Sequence, residues 1–391
     1  MSYQWEYKRI GDVCTVERGG SPRPIDKYIT ANDDGINWIK IGDTTDSMYI
    51  TKTAQKIIPE GMKKSRYVKP GDFLLSNSMS FGRPYILQID GCIHDGWLVL
   101  RDDSGLFDKR FLYYYLSAKT TYEKFKSMAV GGVVNNLNSE MVRNVEVPVP
   151  TRKEQSDVAD LLDKLSTTID RRKKELGLLD DLIKARFVEM FGDPVSNEKR
   201  WPTRPLLSMG SCKNGMNFHY DDSGVELNCL GVGDFKDYSI IADTATLPMV
   251  SLNEIPSSEY LLQDDDIVFV RSNGNKKMVG RSVAVYPGSV PTTFSGFCIR
   301  FRRNDDSVIT PYLLRVLKAE SMRQKMYGRG ANIQNLNQQT LSSLDIPVPP
   351  KTLQEEFAAF IIQVDKSKAV VQKALDKAQL LFDSLMQKYF G

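Results

Sequence analysis

The sequence NLNSEMVRNVEVPVPTRKEQ, residues 136–155, recurs as NLNQQTLSSLDIPVPPKTLQ, residues 335–354. The offset is 199 residues at both ends of this stretch, and it is still 199 at the Phe-Gly pairs that close the copies at 191–192 and 390–391. About 55 residues therefore run in register without a gap. A chain built from two copies of one unit can fold with an internal two-fold axis and present two similar surfaces to one long target.

Each copy continues into a segment that is predicted to form a long helix. Residues 152–191 contain no proline, and Pro150 and Pro194 bracket them. Apolar residues recur at steps of three and four, interrupted once by Arg172 in the first copy and once by Lys368 in the second. This spacing is typical of a coiled coil, and a helix of about 38 residues would be roughly 57 Å long. The apolar positions are Val158, Leu162, Leu165, Ile169, Leu176, Leu179, Ile183, Phe187 and Met190, then Phe357, Ile361, Val364, Val371, Leu375, Ala378, Phe382, Leu385 and Tyr389.

A single stripe of this kind is equally compatible with an amphipathic helix that lies on a globular core. Two stripes of equal length and phase favour pairing of the two helices with each other. The sequence does not fix the direction of pairing, but a two-fold axis between the copies requires antiparallel helices. We therefore expect an antiparallel pair.

The first half of each copy is β-rich and much more divergent. Short apolar runs alternate with Gly, Asn, Asp and Pro, which indicates strands joined by turns, and residues 113–128 and 312–327 are predicted to form one short helix in each copy. The offset drifts from 191 to 200 between the matching positions. These positions are Trp5 and Trp201, 41–43 and 232–234, 71–75 and 265–270, Gly82-Arg83 and Gly280-Arg281, and Gly96-Trp97 and Gly296-Phe297.

The bulk composition narrows the class of protein. A chain of 391 residues with 41% hydrophobic and 26% charged residues is typical of a soluble globular protein with two or more domains. We expect no transmembrane or signal segment. The five scattered cysteines indicate free thiols in a reducing cytoplasm. A net charge of +3 neither supports nor excludes nucleic-acid binding.

A search for catalytic motifs finds little. The two histidines, His94 and His219, lie in no metal-binding pattern, and Cys212 has no further partners that would complete a zinc site with His219. His94-Asp95 could form a dyad, but no serine lies in a nucleophile elbow. Residues 274–282 resemble a phosphate loop, but they have the wrong glycine spacing and lack the lysine. Together these absences favour binding over catalysis.

Two polar turns at corresponding places are candidate binding elements. They are residues 76–83 and 271–277, and they combine Asn, Ser, Arg and Lys with glycine. Arg and Lys contact guanine or phosphates, while Asn can pair with adenine. Solvated hairpin turns without any binding role are the alternative. A further polar turn, shared as 131–136 and 330–335, is interpreted as the joint between globule and helix.

The order of these features resembles that of the specificity subunit of type I restriction-modification systems. Two variable globules each end in an NLN turn, followed by a Pro-Val-Pro segment, a glutamine and a long helix. The sequence FVEMFGDP at 187–194, leading into Trp201, strengthens this resemblance, which extends over essentially the whole chain.

The resemblance implies an α+β fold with two β-rich target recognition domains, separated by two long antiparallel coiled-coil helices with internal pseudo-two-fold symmetry. The expected domains are 1–150 for the first recognition domain, 151–192 for the central helix, 193–350 for the second recognition domain and 351–391 for the C-terminal helix. Each recognition domain would read one half of a split double-stranded DNA site, and the helices would set the gap between the halves.

The resemblance also implies partners. The helices would dock two modification subunits, which bind S-adenosylmethionine and methylate adenines. In the full complex, restriction subunits would join them and cleave DNA with ATP and Mg. This chain itself would be non-catalytic, cytoplasmic and without a bound cofactor or metal.

The DNA-contacting residues cannot be carried over from the family, because recognition domains diverge. Our candidates come from the two polar turns: Ser76, Asn77, Ser80 and Arg83 in the first, and Arg271, Ser272, Asn273, Lys276 and Lys277 in the second. The competing hypotheses are a protein-interaction scaffold with two modules on a coiled coil, and an enzyme that uses His94 and Asp95.

Overall fold

The computed structural model describes residues 5–77, 82–129, 136–218, 222–235, 239–327 and 335–391. It divides into two compact units. Unit 1 comprises Met1–Lys174 and Gln372–Gly391, and unit 2 comprises Glu175–Val371. Both boundaries fall inside long helices, so each long helix contributes residues to both units. No helix in the described part of the chain is long and apolar enough to cross a membrane.

The N-terminal repeat consists of short strands and helices that lead into the first long helix. Its strands are β1 (Tyr7–Arg9), β2 (Thr15–Arg18), β3 (Ile29–Thr30), β4 (Ile36–Ile39), β5 (Tyr49–Ile50), β6 (Gln55–Ile57), β7 (Arg66–Val68), β8 (Phe73–Ser76), β9 (Pro84–Leu87), β10 (Gly91–Ile93), β11 (Trp97–Arg101) and β12 (Glu146–Pro148). Its helices are α1 (Ile10–Val13), α2 (Pro59–Met62), α3 (Lys109–Ser117), α4 (Lys119–Ala129), α5 (Ser139–Arg143) and α6 (Arg152–Phe191).

The C-terminal repeat follows the same succession. Its strands are β13 (Thr203–Pro205), β14 (Gly210–Asn214), β15 (Val225–Leu230), β16 (Ile240–Ile241), β17 (Met249–Leu252), β18 (Asp266–Val270), β19 (Ser282–Val285), β20 (Thr292–Phe294), β21 (Cys298–Arg303) and β22 (Asp345–Pro347). Its helices are α7 (Thr310–Lys318), α8 (Glu320–Tyr327), α9 (Gln338–Ser342) and α10 (Lys351–Phe390).

The central sheet is the same in both units. Its strand order is β2-β11-β8-β9-β5 in unit 1 and β14-β21-β18-β19-β16 in unit 2. In both, the last pair is parallel and the others are antiparallel. The second sheet differs: among the described residues it has the order β3-β6-β4-β10-β7 in unit 1 and β17-β15-β20 in unit 2. The predicted α+β class with two β-rich repeats is confirmed.

The repeated glutamine has the same structural task in each unit. Gln155 accepts a hydrogen bond from the Asp108 N–H (2.7 Å) and donates to the carbonyls of Leu106 (3.2 Å) and Pro150 (3.0 Å). Gln354 accepts from the Ile309 N–H (2.9 Å) and donates to the carbonyls of Ser307 (3.0 Å) and Pro349 (2.9 Å). Both side chains are buried. Each glutamine therefore joins the start of its long helix to the loop before α3 or α7.

The repeated NLN turn also has matching contacts. Asn138 and Asn337 cap α5 and α9, because each side-chain oxygen accepts a hydrogen bond from a backbone N–H in the first turn. The leucine between the asparagines, Leu137 or Leu336, is buried in the core. The shared NLN sequence thus encodes a shared helix start and core contact in both units. The polar turns that were interpreted as the joint between globule and helix lie outside the described residues at 131–135 and 330–334.

The two long helices run antiparallel where they meet in unit 2. Arg186 Nη2 lies 2.8 Å from Glu356 Oε1, and Asp180 Oδ1 lies 2.6 Å from the Nζ of Lys368. From the Asp180–Lys368 contact to the Arg186–Glu356 contact, the residue number rises in α6 and falls in α10. The prediction of antiparallel helices is therefore confirmed. Lys368, which interrupts the apolar seam, is therefore neutralised by an acidic partner on the facing helix.

One prediction about local structure is wrong. Residues 113–128 and 312–327 were each expected to form one helix, but each region holds two helices, α3 and α4 in unit 1 and α7 and α8 in unit 2. The break falls at Ala118 (ψ 141°) and Ala319 (ψ 136°), whose extended backbone stops the helix. Periodicity does not reveal such a break, because alanine is a good helix former.

Candidate nucleic-acid interface

The strongest structural correspondence between the units lies at one end of the central sheet. The Asn77 N–H donates to the Gly96 carbonyl (3.0 Å), and the Asn77 carbonyl accepts from the Leu137 N–H (3.0 Å). In unit 2 the Arg271 N–H donates to the Phe297 carbonyl (2.7 Å), and the Arg271 carbonyl accepts from the Leu336 N–H (2.7 Å). Asn77 and Arg271 are therefore equivalent positions, each linking the NLN turn to the sheet.

The side chains at these positions are also anchored in the same way. Asn77 Nδ2 donates to the Asp95 carbonyl (2.8 Å), and Arg271 Nη1 donates to the Gly296 carbonyl (3.2 Å). Gly96 of unit 1 thus corresponds to Phe297 of unit 2, and Asp95 corresponds to Gly296. The sequence alignment of Gly96-Trp97 with Gly296-Phe297 is therefore wrong by one residue.

Strand pairing confirms this shift. Trp97 pairs with Ser76 across β11 and β8, while Cys298 pairs with Val270 across β21 and β18. Trp97 corresponds to Cys298, and both are buried. Matching glycines do not fix the residue-by-residue alignment of two divergent loops, because an insertion beside a glycine is detected only from the pairing of the strands.

In unit 1 a polar cluster surrounds Asp95 at this end of the sheet. The Ser21 hydroxyl donates to Asp95 Oδ1 (2.7 Å), Arg23 Nη2 lies 3.2 Å from Asp95 Oδ2, and Arg18 Nε donates to the Asp95 carbonyl (3.2 Å). The hydrogen bond from Ser21, assisted by the charge of Arg23, lowers the pKa of Asp95 below its ordinary value. The carboxylate therefore stays ionised and pairs with the exposed Arg23, while the backbone carbonyl of Asp95 holds the exposed Arg18.

His94 lies beneath this cluster and has no free base atom. Its Nδ1 is 2.7 Å from the Gly96 N–H, its Nε2 is 3.2 Å from the Ile41 N–H, and its ring packs near Trp38 and Trp97. Burial, partly offset by the charge of Asp95, lowers the pKa of His94. These contacts favour a structural role for a neutral imidazole rather than the catalytic dyad that the sequence left open.

In unit 2 the corresponding end of the sheet carries Arg271, Ser272, Asn217 and Phe297. Ser272 forms an isolated bridge with Asn335 of the NLN turn. The loop after it is ordered by two Asx turns: Asn273 Oδ1 accepts from the Asn275 N–H (2.8 Å), and Asn275 Oδ1 accepts from the Lys277 N–H (3.0 Å). The loop therefore presents charged groups on an ordered backbone.

The predicted DNA-contacting residues of unit 1 have different degrees of exposure. Ser76 and Asn77 are buried, and the Ser76 hydroxyl accepts from the Arg83 N–H (3.1 Å). Arg83 is exposed; its Nη2 lies 3.7 Å from Asp46 Oδ1, and its guanidinium lies over the Tyr85 ring. Ser80 lies outside the described residues. The contacts of Ser76 and Asn77 favour a role in holding the loop, so Arg83 is the accessible one among the three described members of this set.

The candidates of unit 2 are more accessible. Arg271, Ser272 and Asn273 are half-buried, and Lys276 and Lys277 are exposed. The structure brings Arg271 and Ser272 together with the NLN turn. The DNA contacts of both sets stay predictions.

Sequence reasoning missed the arginines near Asp95 in unit 1 and Asn217 and Phe297 in unit 2. Arg18 and Arg23 flank the run Gly19-Gly20-Ser21-Pro22, a turn signal that could have drawn attention to them. No comparable signal marks Phe297, because its exposure depends on the register of the strands around it.

Comparison with known proteins identifies the family. The model of the type I restriction modification DNA specificity domain matches residues 3–178 and 236–379. The chain is 22% identical to the type I restriction enzyme StySPI specificity subunit of Salmonella potsdam, over 99% of this chain and 88% of that protein. It is 26% identical to the MjaIX specificity subunit of Methanocaldococcus jannaschii, over 98% of this chain and 92% of that protein.

Solved structures share the fold. The S subunit of a type I restriction-modification system from M. genitalium has a TM-score of 0.56 at 15% identity, over 99% of this chain and 96% of that one. A chain from a study of complex assembly and conformational transition of the type I R-M system has a TM-score of 0.62 at 16% identity, over 99% and 97%. Likeness at this identity shows the fold alone.

The fold is that of a two-repeat α+β protein with one candidate binding surface at the sheet end of each unit. Because the family model matches most of its length, the chain belongs to the type I restriction-modification DNA specificity family. It is a specificity subunit, a non-catalytic component that recognises DNA and assembles with the other subunits of the system, which carry the activity.

Proposed function

We propose that the chain recognises a bipartite DNA target, with unit 1 reading one half-site and unit 2 the other. The observation that carries this proposal is the sheet end at which Asn77 and Arg271 make the same backbone hydrogen bonds. The framework is constant, but the side chains it presents differ: Asp95 and Gly96 in unit 1, and Gly296 and Phe297 in unit 2. Equal frameworks with different surfaces suit two different half-sites.

The long helices would dock two methyltransferase subunits. Support comes from large apolar side chains that are exposed on α6 and α10. Exposed apolar groups on a helix favour contact with another protein, and Leu178 and Leu182 lie one turn apart on α6. The exposed apolar side chains of the two helices are Leu161, Leu178, Leu182, Val188, Ile362, Val370, Leu380 and Leu381.

The helices would also set the gap between the half-sites. Each helix has 40 residues. At about 1.5 Å per residue this is roughly 60 Å. In this proposal S-adenosylmethionine binds to the methyltransferase subunits, restriction subunits with ATP and Mg complete the assembly, and the complex works in the cytoplasm. The present chain binds none of these cofactors.

The DNA part of the proposal is tested with the purified chain and its modification subunits. Sequencing of methylated adenines in cells that carry the complete system should reveal a split motif with one methylated adenine in each half. A duplex with that motif should then bind more tightly than a scrambled duplex in a gel-shift titration. Binding without any sequence preference would refute the proposal and leave the scaffold hypothesis.

The docking part is tested separately. The double variant Leu178→Asp, Leu182→Asp should abolish co-purification with the methyltransferase subunit, because two charges replace apolar contact area. Met249→Asp changes an equally exposed apolar side chain of unit 2 outside the long helices and serves as the control. Equal co-purification of the double variant and the control would contradict helix docking.

A further inference from the structure

Phe297 is a large apolar side chain that is exposed on a well-fixed backbone. It precedes β21, and 60% of its surface is accessible. Its carbonyl accepts hydrogen bonds from the N–H groups of Arg271 (2.7 Å) and Ser272 (3.3 Å), and its own N–H donates to the Ser295 hydroxyl (3.3 Å). A ring that stays exposed to water adds little to the stability of the fold, so core packing does not explain the presence of phenylalanine at this position.

The groups around the ring are suited to base edges. The guanidinium of Arg271 donates to the carbonyl of Gly296, the residue before Phe297. Asn217 packs so closely on Gly296 that a Cβ at 296 would lie 2.1 Å from the Asn217 Oδ1. Asn217, Arg271 and Phe297 therefore form one surface patch. Arg and Asn read purine edges by hydrogen bonds, and Phe reads the thymine methyl group by apolar contact.

The equivalent position in unit 1 cannot carry such a group. It is Gly96, and a Cβ there would lie 2.1 Å from Cε1 of His94. The same sheet end in unit 1 instead carries the polar cluster around Asp95. An exposed apolar ring at this framework position therefore belongs to unit 2 alone.

We infer that Phe297 contacts the C5-methyl group of a thymine in the half-site that unit 2 reads, and so determines specificity at that base pair. The inference rests on the proposed function, in which each unit reads one half-site. Uracil differs from thymine only by this methyl group, which makes the contact testable atom for atom.

The test is a thermodynamic cycle on the complex of the chain with its methyltransferase subunits. Fluorescence anisotropy gives the Kd for the target duplex and for duplexes in which each thymine of both half-sites is replaced singly by uracil. One replacement should weaken wild-type binding about four-fold, the value expected for one buried methyl group. Phe297→Ala should bind the thymine duplex more weakly and lose the response to uracil at that position alone.

Two further variants separate this contact from a general effect. Phe297→Leu keeps an apolar side chain and should retain part of the uracil response. Ile255→Ala removes an apolar side chain of unit 2 that is 68% exposed, and it should leave the response unchanged. Full retention of every uracil response in Phe297→Ala, or the absence of any uracil response in the wild type, would overturn the inference. Wild-type binding without sequence preference would instead refute the proposed function.

Discussion

Replacement of Gln354 by leucine tests the joint between the long helix and the recognition unit. The side chain is fully buried, and its amide accepts a hydrogen bond from the Ile309 N–H and donates to the carbonyls of Ser307 and Pro349. Leucine has nearly the same shape and no polar atom, so the buried Pro349 carbonyl and the partly buried Ile309 N–H and Ser307 carbonyl lose their partner. A buried group without a partner costs about 1–3 kcal/mol, and the two partly buried groups can bond to water instead, so the expected loss is about 1–3 kcal/mol.

Urea unfolding of the full chain, followed by far-ultraviolet circular dichroism, measures this loss. Gln363→Leu on the exposed face of the same helix is the matched control and should change the free energy of unfolding by less than about 0.5 kcal/mol. Gln155→Leu should destabilise unit 1 in the same way, because its amide makes the corresponding three bonds. A Gln354→Leu protein as stable as the Gln363→Leu control would refute the reasoning.

Three further predictions concern pH, phosphate contact and the helix pair. Burial lowers the pKa of His94 in the folded protein, so the stabilisation by the neutral imidazole is present above the unfolded-state pKa of about 6.5 and is lost as the pH falls below it. His94→Gln should therefore flatten the decline of the free energy of unfolding below that pH, and an unchanged slope would contradict this prediction. Arg23→Ala should weaken binding to target and scrambled duplexes alike, and it should lower by about one the slope of the logarithm of the binding constant against the logarithm of the salt concentration. A loss of affinity for the target duplex alone would mean a base contact instead. Insertion of one heptad at Leu176 in α6 and one at Val371 in α10 adds about 10 Å to each helix. The gap between the half-sites should then lengthen by about three base pairs, and an unchanged gap in the methylated motif would refute the spacer role.

Much of the fold could be predicted because its signals are local or repeated. The register of 199 residues identified the duplicated joint, and steps of three and four identified the long helices. The break at Ala118 and Ala319 could not be predicted, since the residue at the break is alanine, a good helix former, in both units.

The candidate site was less predictable. The polar turns were correctly found as turns, but whether Ser76 is buried and Arg83 exposed depends on which strands flank them. Arg18 and Arg23 lie more than 70 residues from Asp95 along the chain and meet it only because β2 pairs with β11. Sequence spacing contains no information on such a contact before the sheet order is known.

The sequence by itself determined the duplication and the family, because both are encoded in short motifs in fixed order; it favoured antiparallel helices, whose direction the contacts between α6 and α10 then settled. Only the tertiary structure decided which residue of unit 2 matches which residue of unit 1 at the sheet end. It did so through backbone hydrogen bonds at Asn77 and Arg271, which persist while the side chains around them change. Backbone hydrogen bonds do not depend on the identity of the side chains. The two units therefore keep the same backbone framework at positions where their sequences have diverged.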